Sequence, residues 1–162
     1  MNICFAKKTD KYDLKDQDLL IKVIEQIAEI SSLNTLLPSS DLVLSVILLD
    51  DPQITEINEQ YLNHEGPTDV ISFDYVDDFD EEIDADDEFT IGELYISLDT
   101  ALRQGEEYNK SLNEELLLYI AHGILHICGY DDHCEEDINE MRQAEQRVLS
   151  ELNKVMGTVE VI

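Results

Sequence analysis

The chain has few cysteines and no long uncharged apolar run, and each shortage argues against a class of protein. Its three cysteines, Cys4, Cys128 and Cys134, are an odd number without the spacing of a disulfide framework, which argues against a secreted disulfide-rich domain. No stretch approaches the roughly eighteen apolar residues of a membrane-spanning helix, and the first residues contain no apolar signal segment. We therefore expect a cytoplasmic protein that makes no membrane contact.

Basic residues are also scarce. Ten Lys and Arg stand against 38 Asp and Glu, for a formal net charge of −28. General binding to DNA or to anionic membranes depends on Lys and Arg that neutralise phosphates, so the composition argues against both. Five of the ten basic residues are nevertheless found among the first 22 positions. They form either a local basic patch or an ordinary solvated surface, and the sequence leaves both interpretations open.

A length of 162 residues, 43% of them hydrophobic, suits one packed domain covering residues 1–162. Apolar runs predict strands at 1–6, 42–49, 70–75 and 91–97. Helical periodicity predicts a helix beginning near Asp16, a second helix for which Asp51-Pro52 fits the N-cap and first turn, a helix at 116–128 that follows a capping box at Ser111 and Glu114, and a final helix through 138–152. The intervening segment 77–88 is acidic at nine of twelve positions and lacks the glycine of a calcium-binding EF-hand loop, so a solvated loop is predicted. We expect an α+β fold with a small mixed sheet of four strands covered by helices.

Three of the four histidines lie within the twelve residues from His122 to His133. His122 and His126 are four residues apart on a predicted helix, so both imidazoles can reach one zinc ion from the same helical face. Gly129 can end that helix and turn the chain, which would bring a third ligand back to the metal. Three protein ligands leave one coordination position open for chemistry, so the pattern indicates a single catalytic zinc site.

The spacing His-x-x-x-His-x-x-Gly is similar to the zinc helix of metzincin proteases, in which a Glu after the first His is the general base. Here Gly123 occupies that position. A glycine has no group that can accept a proton during peptide hydrolysis, so the sequence argues against a protease.

A longer motif begins at the same histidine and comprises His122, Gly123, Leu125, His126, Gly129, Tyr130 and Asp131. It resembles the His-Gly-x-Leu-His-Leu-x-Gly-Tyr-Asp-His signature of the YbeY family of bacterial endoribonucleases, the ribosomal RNA maturation factors. A second match is the Thr-Asp-Val-Ile-Ser-Phe run at 68–73, which resembles the Thr-Asp-Val-Leu-Ser-Phe strand of the family. The resemblance spans about residues 58–152.

Membership would imply a zinc-dependent, single-strand-specific endoribonuclease that acts in small-subunit ribosomal RNA maturation and ribosome quality control, with ribosomal RNA and the small ribosomal subunit as partners. The resemblance further implies catalytic roles for His122, Asp131, Tyr130 and Ser72. Thr68 and His64 are candidates for lining the cleft. Two alternatives stay open: a metal-binding ribosome assembly factor that does not cut RNA, and a metallohydrolase that acts on another substrate.

The chain departs from the family at two places. The family's third histidine position holds Asp132, with His133 one residue later, and zinc accepts either a carboxylate oxygen or an imidazole nitrogen. We favour His133 as the third ligand, with Asp132 then supporting a ligand from outside the coordination sphere; Cys134 is a further soft-ligand alternative. The second departure is Leu62, which stands where the family commonly has an Arg that is thought to handle the phosphate.

Overall fold

The computed structural model describes residues 1–39, 41–80 and 87–162. The strands and helices in the described residues are β1 (Asn2–Lys7), α1 (Gln17–Ile30), β2 (Leu42–Leu49), α2 (Asp51–Leu62), β3 (Val70–Asp74), β4 (Phe89–Ser97), α3 (Leu98–Tyr108), α4 (Leu112–Ile127) and α5 (Glu135–Met156). Within this part of the chain, no helix is both long enough and apolar enough to cross a membrane.

The four strands form one mixed sheet in the order β1-β2-β4-β3. β2 pairs in parallel with both β1 and β4, while the edge strand β3 runs antiparallel to β4, with Ser72 opposite Leu94. The predicted α+β class and the mixed four-stranded sheet are confirmed. β2 matches its predicted range of 42–49, because an almost continuously apolar strand with a turn sequence at each end leaves little freedom in its bounds.

Side-chain caps begin the helices. Asp16 caps α1 by accepting a hydrogen bond from the Leu19 N–H at 2.9 Å, and the predicted capping box of Ser111 and Glu114 is present at the start of α4. The N-cap of α2 lies one residue before Asp51, which Asp51-Pro52 had suggested: Asp50 is the N-cap and accepts a hydrogen bond from the Gln53 N–H. Asp51 is thereby free to contact α3.

The sequence pattern did not predict α3. Its buried face consists of Leu98, Thr100, Ala101 and Gly105, and small or polar residues give a weak apolar signal. Gly105 is required by packing, because a Cβ at this position would lie 2.6 Å from the Lys110 carbonyl oxygen. The predicted acidic loop at 77–88 falls partly outside the described residues; its first two residues belong to a short 3₁₀ turn at Val76–Asp78.

α4 packs directly on the sheet as the central buried helix. Leu116, Ile120 and Ile124 are fully buried. Two glycines allow the close approach: a Cβ at Gly123 would lie 2.7 Å from Leu94 Cδ2, and one at Gly92 would lie 2.5 Å from Ile127 Cδ1. The helix that carries the histidine pair is therefore held rigidly against β3 and β4.

Candidate metal centre

The two histidines of α4 direct the same ring nitrogen toward each other. His122 Nε2 and His126 Nε2 are 3.0 Å apart, and the rings are nearly perpendicular, at 85°. Residues four apart on a helix lie one turn apart on one face, and burial of α4 in the core restricts where the rings can go. The pair thus presents two nitrogen atoms at one point.

Glu145 of α5 determines which nitrogen of His122 carries the proton. Its Oε1 lies 2.6 Å from His122 Nδ1. A carboxylate can only accept a hydrogen bond, so Nδ1 is the donor, and in the neutral ring Nε2 has a free lone pair. Burial lowers the pKa of His122, but the hydrogen bond and the charge of Glu145 outweigh it and raise the pKa above its ordinary value. A carboxylate on the far nitrogen is also the usual support of a metal-binding histidine.

Asp132 completes a group of three potential ligands. Its Oδ2 lies 3.6 Å from His126 Nε2, and the ligand atoms of His122, His126 and Asp132 all lie within 4.8 Å of one another. Tetrahedral zinc with ligands at about 2.1 Å requires ligand atoms roughly 3.4 Å apart. The observed distances of 3.0 and 3.6 Å lie on either side of that value, so these residues fit a zinc ion.

His133, which the sequence analysis favoured as third ligand, lies outside this group. Its side chain is 81% exposed, and its Nε2 lies 3.6 Å from Asp131 Oδ1. Cys134 is also elsewhere, since its sulfur caps α5 by accepting from the Asp137 N–H. Gly129 follows the end of α4 with a positive φ of 101°, and this turn brings Asp132 back to the histidines.

Two of the remaining candidates lie close to α4. Ser72 on β3 faces Gly123 of α4, since a Cβ at Gly123 would lie 3.2 Å from the Ser72 hydroxyl. Gly123 directly follows His122, so Ser72 lies close to the histidine pair. The Tyr130 hydroxyl accepts a hydrogen bond from Arg147 at 3.5 Å.

The other two candidates are placed differently. The Thr68 hydroxyl donates to Asp69 Oδ1 at 3.2 Å. His64 lines a separate cavity with Glu59 and Asn63, so the structure does not bring it to the cavity that His122 lines.

Sequence reasoning missed Glu145, which is 23 residues from His122. A signal existed, because Glu145 directly follows Ala144, a member of the buried stripe of α5 formed by Met141, Ala144, Val148 and Leu152. Helix geometry places a residue beside such a stripe at the border of the buried face, where its side chain can reach a neighbouring helix. The periodicity could not identify its partner, since that depends on how α5 crosses α4.

A cavity of about 620 Å³ opens beside His122. It is lined by residues of α3, α4 and α5 together with Asp69, which precedes β3. His122 and Glu145 both lie in its wall. A ligand in this cavity would therefore contact the three-residue group through His122, since His126 and Asp132 do not line the cavity.

Comparison with known proteins agrees with the motif resemblance. Residues 3–153 match the family model described as endoribonuclease YbeY. The chain is 35% identical to endoribonuclease YbeY of Thermoanaerobacter sp., covering 94% of this chain and 98% of the relative, and 37% identical to that of Fusobacterium nucleatum, covering 88% of each. It also resembles the solution structure of a Thermotoga maritima protein, with a TM-score of 0.56, 26% identity and coverage of 96% of this chain and 94% of the other.

Proposed function

This chain belongs to the endoribonuclease YbeY family, and we propose that residues 1–162 form a zinc-dependent endoribonuclease that cuts single-stranded RNA. Its substrate is ribosomal RNA, and it acts in the cytoplasm on the small ribosomal subunit, in maturation of the RNA and in ribosome quality control. Single-stranded RNA can turn its unpaired bases into a protein cleft, whereas a duplex keeps its bases stacked and paired.

The observation that carries this proposal is the group of His122, His126 and Asp132, with ligand atoms within 4.8 Å. We assign these three residues as the metal ligands. Two nitrogens and one carboxylate oxygen form a catalytic rather than a structural donor set, because structural sites are closed by four protein ligands, commonly including Cys.

Each assigned residue has a separate task. His122, His126 and Asp132 would hold the zinc ion, which would supply a Lewis acid for the charge that develops on a scissile phosphate. Glu145 accepts a hydrogen bond from His122 Nδ1–H and thereby holds the ring with Nε2 toward the other two ligand residues. Asp131 orients the loop that carries Asp132, while Ser72 and Tyr130 bind or orient the RNA near the histidines.

The test compares the chain with His122→Ala on single-stranded ribosomal RNA fragments, at matched zinc and low salt. We expect a loss of cleavage of about 1,000-fold or more, because metal-assisted stabilisation contributes several kcal/mol and each 1.36 kcal/mol is tenfold in rate. Equal cleavage by both proteins would indicate a contaminating nuclease and contradict the proposal.

One observation favours a second candidate, a ribosome assembly factor that binds RNA without cutting it. Leu62 is 42% exposed at the end of α2, in the place where the resemblance leads one to expect a phosphate-binding Arg, and the chain carries a net charge of −28. Absence of cleavage by both proteins, with ribosome binding retained, would select this function.

A further inference from the structure

Leu62 stands where the family commonly has an Arg, so another residue has to supply the cation that a phosphate substrate needs. Charge that develops on a phosphate is stabilised by Arg, Lys or metal ions placed around it, and Arg binds phosphate through two parallel hydrogen bonds. Only ten basic residues are present in the chain. Four of them, Lys11, Lys15, Arg103 and Lys154, form ion pairs with acids.

Two of the other basic residues line the cavity beside His122. These are Lys110, between α3 and α4, and Arg142 on α5. Within residues 1–39, 41–80 and 87–162, neither side chain forms a hydrogen bond or an ion pair. Arg142 is exposed, so its guanidinium donors are accessible to an anionic ligand in the cavity that His122 lines.

The two cations mark different ends of the cavity. α5 runs antiparallel to α4, because Asn113 near the start of α4 bonds to Val159 and Val161 after α5, whereas His122 bonds to Glu145. Arg142 lies about one turn before Glu145, and therefore level with the turn of α4 that leads to His126. Lys110 precedes α4, which begins at Leu112, about 15 Å from His122 along the helix axis.

The acids in the cavity wall are engaged or hold a proton more readily. Asp69 Oδ1 accepts from the Val70 N–H at 2.7 Å, and Glu145 accepts from His122. Glu115 is only 4% exposed, and burial raises its pKa although the charge of Lys110 lowers it. Each of these acids thus has a contact within the protein, while the side chains of Arg142 and Lys110 keep their hydrogen-bond donors for a ligand.

Two tyrosines of the cavity wall offer further contacts to a ligand. Tyr108, in the cavity wall beside Lys110, is 62% exposed, and an exposed ring can stack on a nucleobase of any sequence. Tyr119 is 5% exposed, and its hydroxyl has no hydrogen-bond partner among the described residues. A buried hydroxyl without a partner is costly, and a polar ligand in the cavity would relieve that cost.

We propose that Arg142 and Lys110 are the phosphate-binding residues of this protein. Arg142 holds the phosphate nearest the metal ligands, in place of the Arg that Leu62 replaces, and Lys110 holds one farther along the strand, where Tyr108 stacks a base. The inference rests on the proposed function for the identity of the substrate, single-stranded RNA.

The test measures binding of a short fluorescein-labelled single-stranded oligoribonucleotide by fluorescence anisotropy. It is carried out in a His122→Ala background, so that the probe stays intact, and cleavage is measured in the otherwise unchanged chain. The variants are Arg142→Gln, Arg142→Lys and Lys110→Gln. Lys154→Gln is the matched control, since it removes the same charge from α5 at an exposed position outside the cavity.

We expect Arg142→Gln to weaken binding about tenfold, because a hydrogen bond to a charged group contributes about 1.5–3 kcal/mol and 1.4 kcal/mol is a factor of ten. The salt dependence of log K should fall by about 0.7 for the lost phosphate contact. Arg142→Lys should recover part of the affinity, and Lys110→Gln should lose several-fold. The thermal unfolding midpoint should stay unchanged, because Arg142 is exposed and unpaired.

Binding by Arg142→Gln equal to that of Lys154→Gln would overturn the inference, whether both match the parent or both are weakened. The two proposals fail separately. If the unmodified chain cuts RNA and Arg142→Gln cuts it equally well, only the phosphate assignment falls. If the unmodified chain binds RNA through Arg142 without cutting it, only the nuclease falls.

Discussion

Two polar clusters of this protein differ in how completely they are satisfied. At the start of α2 and α3, Asp51 accepts hydrogen bonds from Ser97, Thr100 and Arg103, and Asp99 accepts from the Asp51 N–H, Tyr12 and Lys11. At the end of α4, His122 Nε2 and His126 Nε2 face each other at 3.0 Å, with Asp132 3.6 Å from His126.

The difference indicates what each cluster is for. Every carboxylate of the first cluster has donors from its own chain, so it joins α2 and α3 to the sheet and needs no ligand. In the second, three groups present acceptor atoms to one point, and at most one histidine can donate to the other. A cluster with an excess of facing lone pairs is suited to binding a cation.

The largest expected effect comes from breaking the second cluster at Asp132. Asp132→Ala should weaken zinc binding by at least about 100-fold, the upper end of what loss of a mere supporting group costs, whereas His133→Ala should have a much smaller effect. Competition titration with a chromophoric zinc chelator measures both. A larger loss for His133→Ala would reverse the assignment of the third ligand.

The second-largest effect is expected from Glu145, whose carboxylate accepts a hydrogen bond from His122 Nδ1–H. Glu145→Gln should weaken zinc binding by about 10- to 100-fold, because Nδ1 loses its charged acceptor and the ring loses basicity. Glu140→Gln, an exposed acid on the same helix, is the matched control. The same titration checks the pair, and equal affinities would show that the Glu145 contact does not support a metal ligand.

Breaking the first cluster should affect stability and leave the metal alone. Asp51→Ala leaves the hydroxyls of Ser97 and Thr100, which are 0% and 7% exposed, without their acceptor. The free energy of unfolding should fall by about 2 kcal/mol, measured by urea denaturation of the metal-free protein. Zinc affinity at the folded baseline should not change; a parallel loss would mean that the two clusters are coupled.

The smallest effect is on pH dependence. Burial raises the pKa values of Asp51 and Asp99, but the hydrogen bonds that each accepts outweigh it, so both lie below their ordinary value of 3.8. Their contribution to stability is therefore complete above that value and is lost as pH falls through the lower pKa of the folded state. Between about pH 5 and about pH 2, the parent should lose more stability than Asp51→Asn does. Equal losses in urea denaturation would contradict the assignment.

Prediction from the sequence succeeded where the signal was local. The seven apolar residues of the eight-residue strand β2, the capping box at Ser111 and the spacing of His122 and His126 are all short-range features of the sequence, and each was found in the structure. The element that was missed, α3, buries Ala101 and Gly105, whose small side chains carry almost no hydrophobic signal.

The contacts that the sequence did not predict join residues far apart in the chain. Glu145 meets His122 from another helix, and Arg142 and Lys110 line one cavity although 32 positions separate them. The choice between Asp132 and His133 depends on the turn after Gly129, since adjacent residues point in different directions and one residue of register decides which approaches the histidines.

The sequence by itself determined the histidine pair, the helix that carries it, the α+β class and the family, because these depend on residue spacing and on short-range periodicity. The tertiary structure alone decided which acidic side chain lies with the histidine pair, which carboxylate bonds to His122 and which cations lie in the adjacent cavity. The physical reason is that these contacts depend on the packing of α5 against α4, and packing is the sum of many small interactions between residues far apart in the chain.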